Sequence, residues 1–193
     1  MKLAPWRTHI SGALHRNRSL IYSRYFQLAT VRRNGTPANR TVVFRGFETH
    51  SDRLQIVTDS RSEKIEQLQH NTNVEACWYF PKTRVQFRFQ GTIEIVDSEG
   101  SDEALNAARR QVWETLSDAA RSGFAWPKPG AERSPSEAFE VDPPNPEIPL
   151  DSFCLLLLDP CRVEFLALRG EPQNRWIYDR QPNGTWTERE VNP

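Results

Sequence analysis

The sequence has few features that point to a metal centre, a disulfide framework or a membrane span. Its three cysteines, Cys77, Cys154 and Cys161, are too few and too widely spaced for a zinc-ligand pattern. An odd number of cysteines also argues against a complete disulfide framework. The longest apolar run, residues 153–158, is far shorter than a membrane-spanning helix. We therefore expect no metal site and no membrane partner, and a reducing, cytoplasmic location.

An excess of charge of either sign is also absent. The 25 Lys and Arg residues equal the 25 Asp and Glu residues in number, so the formal net charge is +0. Such a balance gives no overall field that would attract nucleic acid or an anionic membrane, and any basic site has to be local. The first residues contain no apolar segment of the kind that directs secretion. The length of 193 residues fits one domain over residues 1–193 with a core of its own.

Short segments of alternating apolar residues predict a mainly β protein of the α+β class. We expect about eight strands, mostly antiparallel, including Ser152–Leu158 and Arg162–Leu168 with a turn at Asp159-Pro160. Helical periodicity predicts three further segments, namely 5–18, 61–70 and 101–120. This combination favours an antiparallel β-barrel with flanking helices.

Two segments depart from these regular patterns. The strand predicted at 85–96 alternates strictly up to Gly91, and a glycine at that point predicts a bulge or the close approach of another backbone. Residues 122–150 are rich in proline and have no periodicity. We therefore expect them to form an excursion over the surface and not a second domain.

Basic residues stand at the ends of the predicted elements between residues 39 and 68. Arg40 and Arg45 lie on one predicted strand, and Arg61 and Lys64 lie at the start of the following helix. A helix N-terminus attracts anions through its free N–H groups and its dipole, so a phosphate group is the expected ligand. Arg40 and Arg45 have opposite parity along a regular strand, which predicts that their side chains lie on different faces.

Five motifs in this order resemble the pyridoxamine 5′-phosphate oxidase-like, FMN-binding split-barrel family, in its branch of unsettled activity. The motifs are Arg40-Thr41-Val42-Val43-Phe44-Arg45-Gly46, Val57-Thr58, Ser62-x-Lys64, Gln86-x-x-x-x-Gly91 and Arg175-Trp176-Ile177-Tyr178. The resemblance covers roughly residues 19–193. It implies a split β-barrel of antiparallel strands with flanking helices and with FMN as the cofactor.

The resemblance also implies which residues contact FMN. They are Arg40, Thr41, Val42, Val43, Arg45, Val57, Thr58, Ser62, Lys64, Gln86 and Arg175. Within this set it places Ser62, Lys64 and Arg40 at the phosphate, and Arg45 nearer the reactive face of the flavin. The family's basic residue directly before the lysine is Glu63 here, and we take Arg61 as its substitute. No general base is identifiable, so no catalytic residue is predicted.

The substrate-binding half departs from the family pattern. An Arg-x-His motif of the oxidase is replaced by residues 171–174, and Leu166 replaces a tryptophan that contacts the flavin. The resemblance therefore implies an FMN-dependent oxidoreductase, acting on a small molecule other than, or in addition to, pyridoxamine 5′-phosphate. It implies a homodimer with each flavin between two subunits. The alternatives are a non-catalytic FMN carrier or sensor, and a pyridoxal phosphate or haem carrier on the same barrel.

Overall fold

Eight antiparallel strands form one sheet that closes on itself in the computed structural model, which describes residues 3–193. The strands are β1 (Tyr25–Val31), β2 (Pro37–Phe47), β3 (Leu54–Asp59), β4 (Asn73–Phe80), β5 (Val85–Val96), β6 (Phe153–Ala167), β7 (Asn174–Arg180) and β8 (Trp186–Val191). Their order is β3-β2-β1-β4-β5-β6-β7-β8, and β3 also pairs with β6. Strands β1 to β6 therefore close a six-stranded barrel, and β7 and β8 extend the sheet from β6. The predicted mainly β split-barrel fold is confirmed.

The inside of the barrel is filled by large aromatic side chains. Alternate positions of β4 and β5 are buried, as the sequence periodicity predicts. Phe26, Trp78, Phe87 and Phe89 are completely buried in this core. The rings of Phe26 and Trp78 pack in a tilted arrangement and those of Phe87 and Phe89 are stacked, which fixes the side chains as well as removing them from water.

Four α-helices flank the barrel. They are α1 (Trp6–Asn17), α2 (Glu63–His70), α3 (Glu103–Glu114) and α4 (Asp118–Ser122), with short 3₁₀ turns at Ile21–Arg24 and Ser136–Phe139. Helix α1 buries Trp6, Ile10 and Ala13 in the barrel core, so it closes one part of the barrel. None of the helices described in residues 3–193 is long and apolar enough to cross a membrane.

The prediction of one helix over residues 101–120 is wrong, because the chain forms two helices there. Helix α3 ends at Glu114, and Ser117 begins α4 by accepting a hydrogen bond at its side chain from the N–H of Ala120. A serine that caps a helix in this way starts a new element instead of continuing the old one. On α3, Val112 and Trp113 pack with Leu155 and Leu157 of β6 in a second apolar cluster.

The predicted turn at Asp159-Pro160 is also wrong, because β6 is one continuous strand of 15 residues. Pro160 pairs with Gly91 and Arg162 pairs with Gln90, so Cys161 is an extra residue in a bulge. Proline has no N–H group, and a bulge is one of the few places where a sheet tolerates it. A Cβ atom built on Gly91 would lie 2.1 Å from the carbonyl oxygen of Asp159. The predicted bulge and close approach at Gly91 are both confirmed.

The segment between α4 and β6 is tied to the helices by side-chain hydrogen bonds. The indole N–H of Trp113 donates to the carbonyl oxygen of Asn145, and Arg109 donates to the carbonyl oxygens of Leu150 and Phe153. Most of residues 125–149 are exposed, and Ser136–Phe139 is the regular element among them. This segment therefore lies over the second apolar cluster.

Candidate functional site

Thr58, Ser62 and Lys64 come together where β3 ends and α2 begins. The ammonium nitrogen of Lys64 lies 2.7 Å from Oγ1 of Thr58 and 3.1 Å from Oγ of Ser62, and the two hydroxyl oxygens are 3.2 Å apart. Thr58 has the inward parity of Leu54 and Ile56 and is buried, while Ser62 occupies the N-cap position of α2. The C-terminal end of β3 and the first turn of α2 thus position these three side chains.

Lys64 is a largely buried cation. Burial lowers its pKa from the ordinary value of 10.5, the nearby charge of Arg40 lowers it further, and Asp59 and Glu63 act in the opposite direction. Within residues 3–193, its hydrogen-bond partners are the two hydroxyl groups, and no carboxylate forms an ion pair with it. A buried ammonium group with neutral partners fits an anionic ligand, and a phosphate group has the charge that this arrangement lacks.

Arg40 lies beside this group and is held by side chains of the barrel end. Its Nη1 donates to Oγ1 of Thr30 (2.6 Å) and to the carbonyl oxygen of Leu28 (3.1 Å), and its Nη2 donates to Oε1 of Gln67 (2.8 Å). Burial lowers the pKa of Arg40, but an arginine side chain keeps its charge at neutral pH. Two cations, Arg40 and Lys64, therefore lie close together at one end of the barrel.

Arg45 has different neighbours, as its parity along β2 predicts. Phe44 pairs with Ile56 and Gly46 with Gln55, so Arg45 is the extra residue of a bulge in β2. Its Nε is buried and has no hydrogen-bond partner among residues 3–193. Its pKa is lowered, first by burial, and Tyr25 is the neighbour whose charge opposes that shift. The charged neighbours of Arg45, Tyr25 and Arg24, thus differ from those of Lys64.

Gln86 and Arg175 lie in one row across the outer face of the sheet. Gln86 pairs with Tyr79 on one side and with Leu166 on the other, and Leu166 pairs with Arg175. Arg175 donates from Nη2 to Oε2 of Glu164 at 2.5 Å. Burial acts to raise the pKa of Glu164, but Arg175, Arg88 and Arg162 outweigh it and the pKa is lowered. The ionised carboxylate therefore holds Arg175 in place.

The remaining candidates on β2 and β3 divide between the two faces of the barrel wall. Val42 belongs to the barrel core, whereas Thr41 is exposed and Val43, which pairs with Tyr25, is partly buried. Val57 packs from outside against the apolar cluster around α3. The polar candidates thus form two groups, one at the barrel end around Lys64 and one on the outer face around Gln86, whereas Val42 and Val57 pack in apolar clusters.

Arg61 lies outside both groups. Its Nε and Nη2 donate to the carboxylate of Asp59 at 2.9 and 2.6 Å, and Nη2 also donates to the carbonyl oxygens of Phe124 and Trp126. The hydrogen bond to Asp59 raises the pKa of Arg61. The expected substitution of Arg61 for a phosphate-binding cation has no support in these contacts. The guanidinium group instead joins the end of β3 to residues 124–126.

The sequence and structure comparisons place this site in a family. The family model described as "Pyridoxamine 5′-phosphate oxidase, FMN-binding domain" matches residues 3–97. A protein of Arabidopsis thaliana named pyridoxine/pyridoxamine 5′-phosphate oxidase 2 is 41% identical over 198 residues, covering 99% of this chain and 98% of the relative. The chain belongs to the pyridoxamine 5′-phosphate oxidase-like, FMN-binding family.

Solved structures of similar proteins have the same architecture. A pyridoxamine 5′-phosphate oxidase-related, FMN-binding protein of Nostoc punctiforme PCC 73102 is 54% identical, with a TM-score of 0.98 and full coverage of both chains. PhzG of Burkholderia lata 383 has a TM-score of 0.77 and 19% identity, and the match covers 100% of this chain and 98% of PhzG. The likeness to PhzG is one of fold alone.

Gln67 is a polar residue at the barrel end of this family member that the sequence patterns did not reveal. Gln67 accepts hydrogen bonds from Arg40 and from Thr30, and its Nε2 donates to Oε1 of Glu63 at 2.7 Å. Glu63 also accepts from Nε of Arg32 at 3.1 Å. A glutamine between the buried Ile65 and Leu68 on one short helix was the signal that could have revealed the contact, because a buried amide needs polar partners.

Residues 3–193 contain no group of three or more His, Cys, Asp or Glu side chains placed to hold a metal ion.

Proposed function

We propose that the protein is an FMN-dependent oxidoreductase that acts on a small molecule. The observation that carries the proposal is Lys64, a largely buried cation that has hydroxyl partners and lies beside Arg40. A phosphate monoester carries about −1.5 to −2 charges at neutral pH, enough to neutralise both cations. The domain of this family binds FMN, whose terminal phosphate is such a group.

Lys64, Ser62 and Arg40 hold the phosphate of FMN in this proposal. Lys64 turns from Thr58 and Ser62 towards the phosphate, and the two hydroxyl groups rotate to donate to it. A hydrogen bond between a charged donor and phosphate stabilises a complex by roughly 1.5–3 kcal/mol. Several such contacts at the phosphate bind the cofactor tightly.

The outer face positions the isoalloxazine ring. Gln86 and Arg175 are hydrogen-bond donors in one row, and Glu164, which lies in the next row beside Arg88, accepts a hydrogen bond from Arg175. In this proposal Arg45 of β2 adds a positive charge near the ring. FMN supplies hydride transfer when bound, and donors near the ring tune its electron affinity. Thr41, Val42, Val43, Val57 and Thr58 complete the cofactor contacts in this proposal.

A second copy of the chain completes the site. Ile21, Tyr22, Tyr25 and Tyr79 are large apolar side chains that are 85%, 55%, 41% and 44% exposed. Tyr25 pairs with Val43 and Tyr79 pairs with Gln86, so this apolar surface borders the outer row. Exposed aromatic groups beside a polar row are typical of a protein–protein interface. We infer a homodimer in which each flavin lies between the two subunits.

The chain lacks the Arg-x-His motif at the position where the family has it, so the motif gives no indication of the substrate. Residues 171–174, at the corresponding positions, contain neither histidine nor arginine. The Arabidopsis relative is named for pyridoxine and pyridoxamine 5′-phosphate, so these two compounds are the first to be tested. The proposed substrate is a small molecule other than, or in addition to, these phosphates.

The absorption spectrum of the purified protein tests cofactor binding. We expect a flavin spectrum, release of FMN on denaturation, and uptake of FMN by the stripped protein. A protein that neither carries nor takes up flavin would overturn the proposal. Sedimentation of the holoprotein tests the dimer in the same preparation.

Anaerobic reduction of the bound flavin tests catalysis. We expect the reduced protein to be reoxidised by an organic acceptor, or the oxidised protein to be reduced by a donor such as pyridoxine 5′-phosphate, faster than free FMN at the same concentration. If every compound reacts no faster with the protein than with free FMN, the alternative of a non-catalytic FMN carrier or sensor is correct.

A further inference from the structure

Gln67 is a buried polar side chain on a helix face that is otherwise apolar. It lies between Ile65 and Leu68 on α2 and is 3% exposed, whereas the neighbouring Gln69 on the same helix is exposed. Burial of an amide costs free energy unless each of its polar groups is hydrogen-bonded. The hydrogen bonds of Gln67 therefore indicate its role at the barrel end.

The hydrogen bonds fix which way the amide points. Oε1 accepts from Oγ1 of Thr30 (2.5 Å) and from Nη2 of Arg40 (2.8 Å), and Nε2 donates to Oε1 of Glu63 (2.7 Å). A guanidinium group can only donate, so the amide atom that faces Arg40 has to be the oxygen. The nitrogen consequently faces the carboxylate of Glu63.

The same contacts determine which edge of the Arg40 guanidinium remains available. Thr30 Oγ1 and Gln67 Oε1 lie next to each other and accept from Nη1 and Nη2 respectively, so they cover the end of the guanidinium group. The carbonyl oxygen of Leu28 takes a second hydrogen from Nη1. Among residues 3–193, nothing accepts from Nε. The edge formed by Nε and the second hydrogen of Nη2 is therefore left for a ligand.

That edge has the geometry for two parallel hydrogen bonds to one anion. Arginine binds phosphate and carboxylate groups strongly when two N–H groups on one edge point to two oxygens. Arg40 also lies near enough to Lys64 to lower the pKa of that lysine. An anion bound by Lys64 can thus accept from the free edge of Arg40 as well.

We propose that Gln67 is a positioning residue for anion binding, which turns the guanidinium group of Arg40 so that its Nε edge faces the Lys64 group. The proposal rests on the proposed binding of the FMN phosphate at that group. Through its nitrogen, the same amide holds the Glu63 carboxylate, whose Oε1 also accepts from Nε of Arg32. Gln67 thereby joins Arg40, which binds the ligand in this proposal, to Glu63 of its own helix.

The binding of FMN and of riboflavin to Gln67→Met tests the proposal. Riboflavin has the same ring without the phosphate, so it reports any general damage to the flavin site. We expect the dissociation constant for FMN to rise about tenfold or more and that for riboflavin to stay within about twofold. Gln69→Met, an exposed change on the same helix, leaves both constants unaltered.

Two further variants separate positioning from packing. In an Arg40→Ala background, Gln67→Met has no additional effect on FMN, because residues that act through one another are not additive. The exchange Gln67→Glu with Glu63→Gln keeps an acceptor for Arg40 and restores a donor-acceptor pair within α2. We expect this double variant to bind FMN within about threefold of the parent, and it serves as the folded test if Gln67→Met does not fold.

The outcomes distinguish this proposal from the proposed function. A parent protein that binds neither FMN nor riboflavin overturns both. A parent that binds FMN, together with a Gln67→Met protein that binds it equally well, overturns only the role of Gln67. Equal losses of FMN and riboflavin affinity, or loss of FMN binding in the exchanged double variant, would also overturn it.

Discussion

The carbonyl oxygen of Asp159 lies against the Cα of Gly91, so close that a Cβ atom at position 91 would be 2.1 Å from it. The same Cβ atom would be 2.9 Å from the Cα of Pro160. Both obstacles are backbone atoms of β6 and cannot rotate away. The bulge that joins β5 to β6 thus requires glycine on one strand and accommodates proline on the other.

Gly91→Ala is expected to destabilise the barrel. The strands have to separate at the bulge, and overpacking of this kind costs roughly 1–3 kcal/mol, with the upper end expected where backbone is the obstacle. For a chain of this size, the melting temperature falls by roughly 2–4 °C per kcal/mol. Urea unfolding measures the change. Gly100→Ala is the control, because the nearest atom to its new Cβ is 4.0 Å away, and an equal loss in both variants would contradict the argument.

The affinity for FMN is expected to fall as the pH rises above neutrality. Burial and Arg40 lower the pKa of Lys64 below 10.5, so the free protein loses this positive charge at a lower pH than the unfolded chain does. Phosphate binds the charged form. Arginine does not lose its proton in this range, so Lys64→Arg should abolish the fall. Fluorescence titration with FMN from pH 7 to 10 measures it, and parallel curves for the two proteins would contradict the assignment.

The same lysine is expected to cost stability when no ligand is bound. A lysine with a lowered pKa destabilises the folded state below that pKa, and the cost disappears as the pH rises towards 10.5. Lys64→Met should therefore give a ligand-free protein at least as stable as the parent at pH 7, although it binds FMN more weakly. Thermal unfolding of the stripped proteins checks this. A clear loss of stability would indicate that Lys64 serves the fold and not a ligand.

Arg61→Gln is expected to loosen the segment after α4 and to leave FMN binding within about threefold. Arg61 donates to the carbonyl oxygens of Phe124 and Trp126, and the shorter side chain cannot reach them. Limited proteolysis should therefore cut residues 124–150 faster. Lys128→Gln removes an exposed charge from the same segment and serves as the control. A tenfold loss of FMN affinity in Arg61→Gln would instead place Arg61 at the phosphate.

The three cysteines are expected to react with iodoacetamide in a fixed order. Cys161 is exposed, burial raises the pKa of the half-buried Cys77, and burial raises the pKa of Cys154 to about 12. Because the thiolate is the reactive form, Cys161 should be modified first and Cys154 only after unfolding. Peptide mass spectrometry with and without urea measures the order. Early modification of Cys154 in the native protein would mean that the barrel opens locally.

The sequence predicts the barrel well because its signals are local and repeated. Alternation along β4 and β5 reports which side chains are buried, and Gly91 reports the bulge without any knowledge of the strand opposite. Pro160 misleads for the same reason: read locally it is a turn residue, and only its pairing with Gly91 makes it compatible with a strand. At Ser117 the error is the opposite one: the helical periodicity continues through residues 101–120 and predicts one helix, although Ser117 caps a second helix.

The candidate site is less predictable, because side-chain partners come from distant parts of the chain. The positions of Thr58, Ser62 and Lys64 follow from one strand–helix connection, and the structure brings their polar atoms together. The carbonyl oxygens that engage Arg61 belong to a segment without periodicity. Gln67 meets Arg40 because α2 packs against β1, whose Thr30 bonds to both side chains. A local pattern of residue types does not predict such contacts between distant parts of the chain.

Strand β6 also sets the order in which the chain can reach its final shape during synthesis. Leu54 of β3 pairs with Leu158 of β6, and Ile93 of β5 pairs with the same residue, so a single late strand closes the barrel. Until residues 153–167 have left the ribosome, β3 and β5 keep open edges that can pair with other chains. Closure of the barrel thus has to follow the synthesis of β6. A nascent chain stalled before Phe153 exposes two unpaired edges of an unclosed sheet.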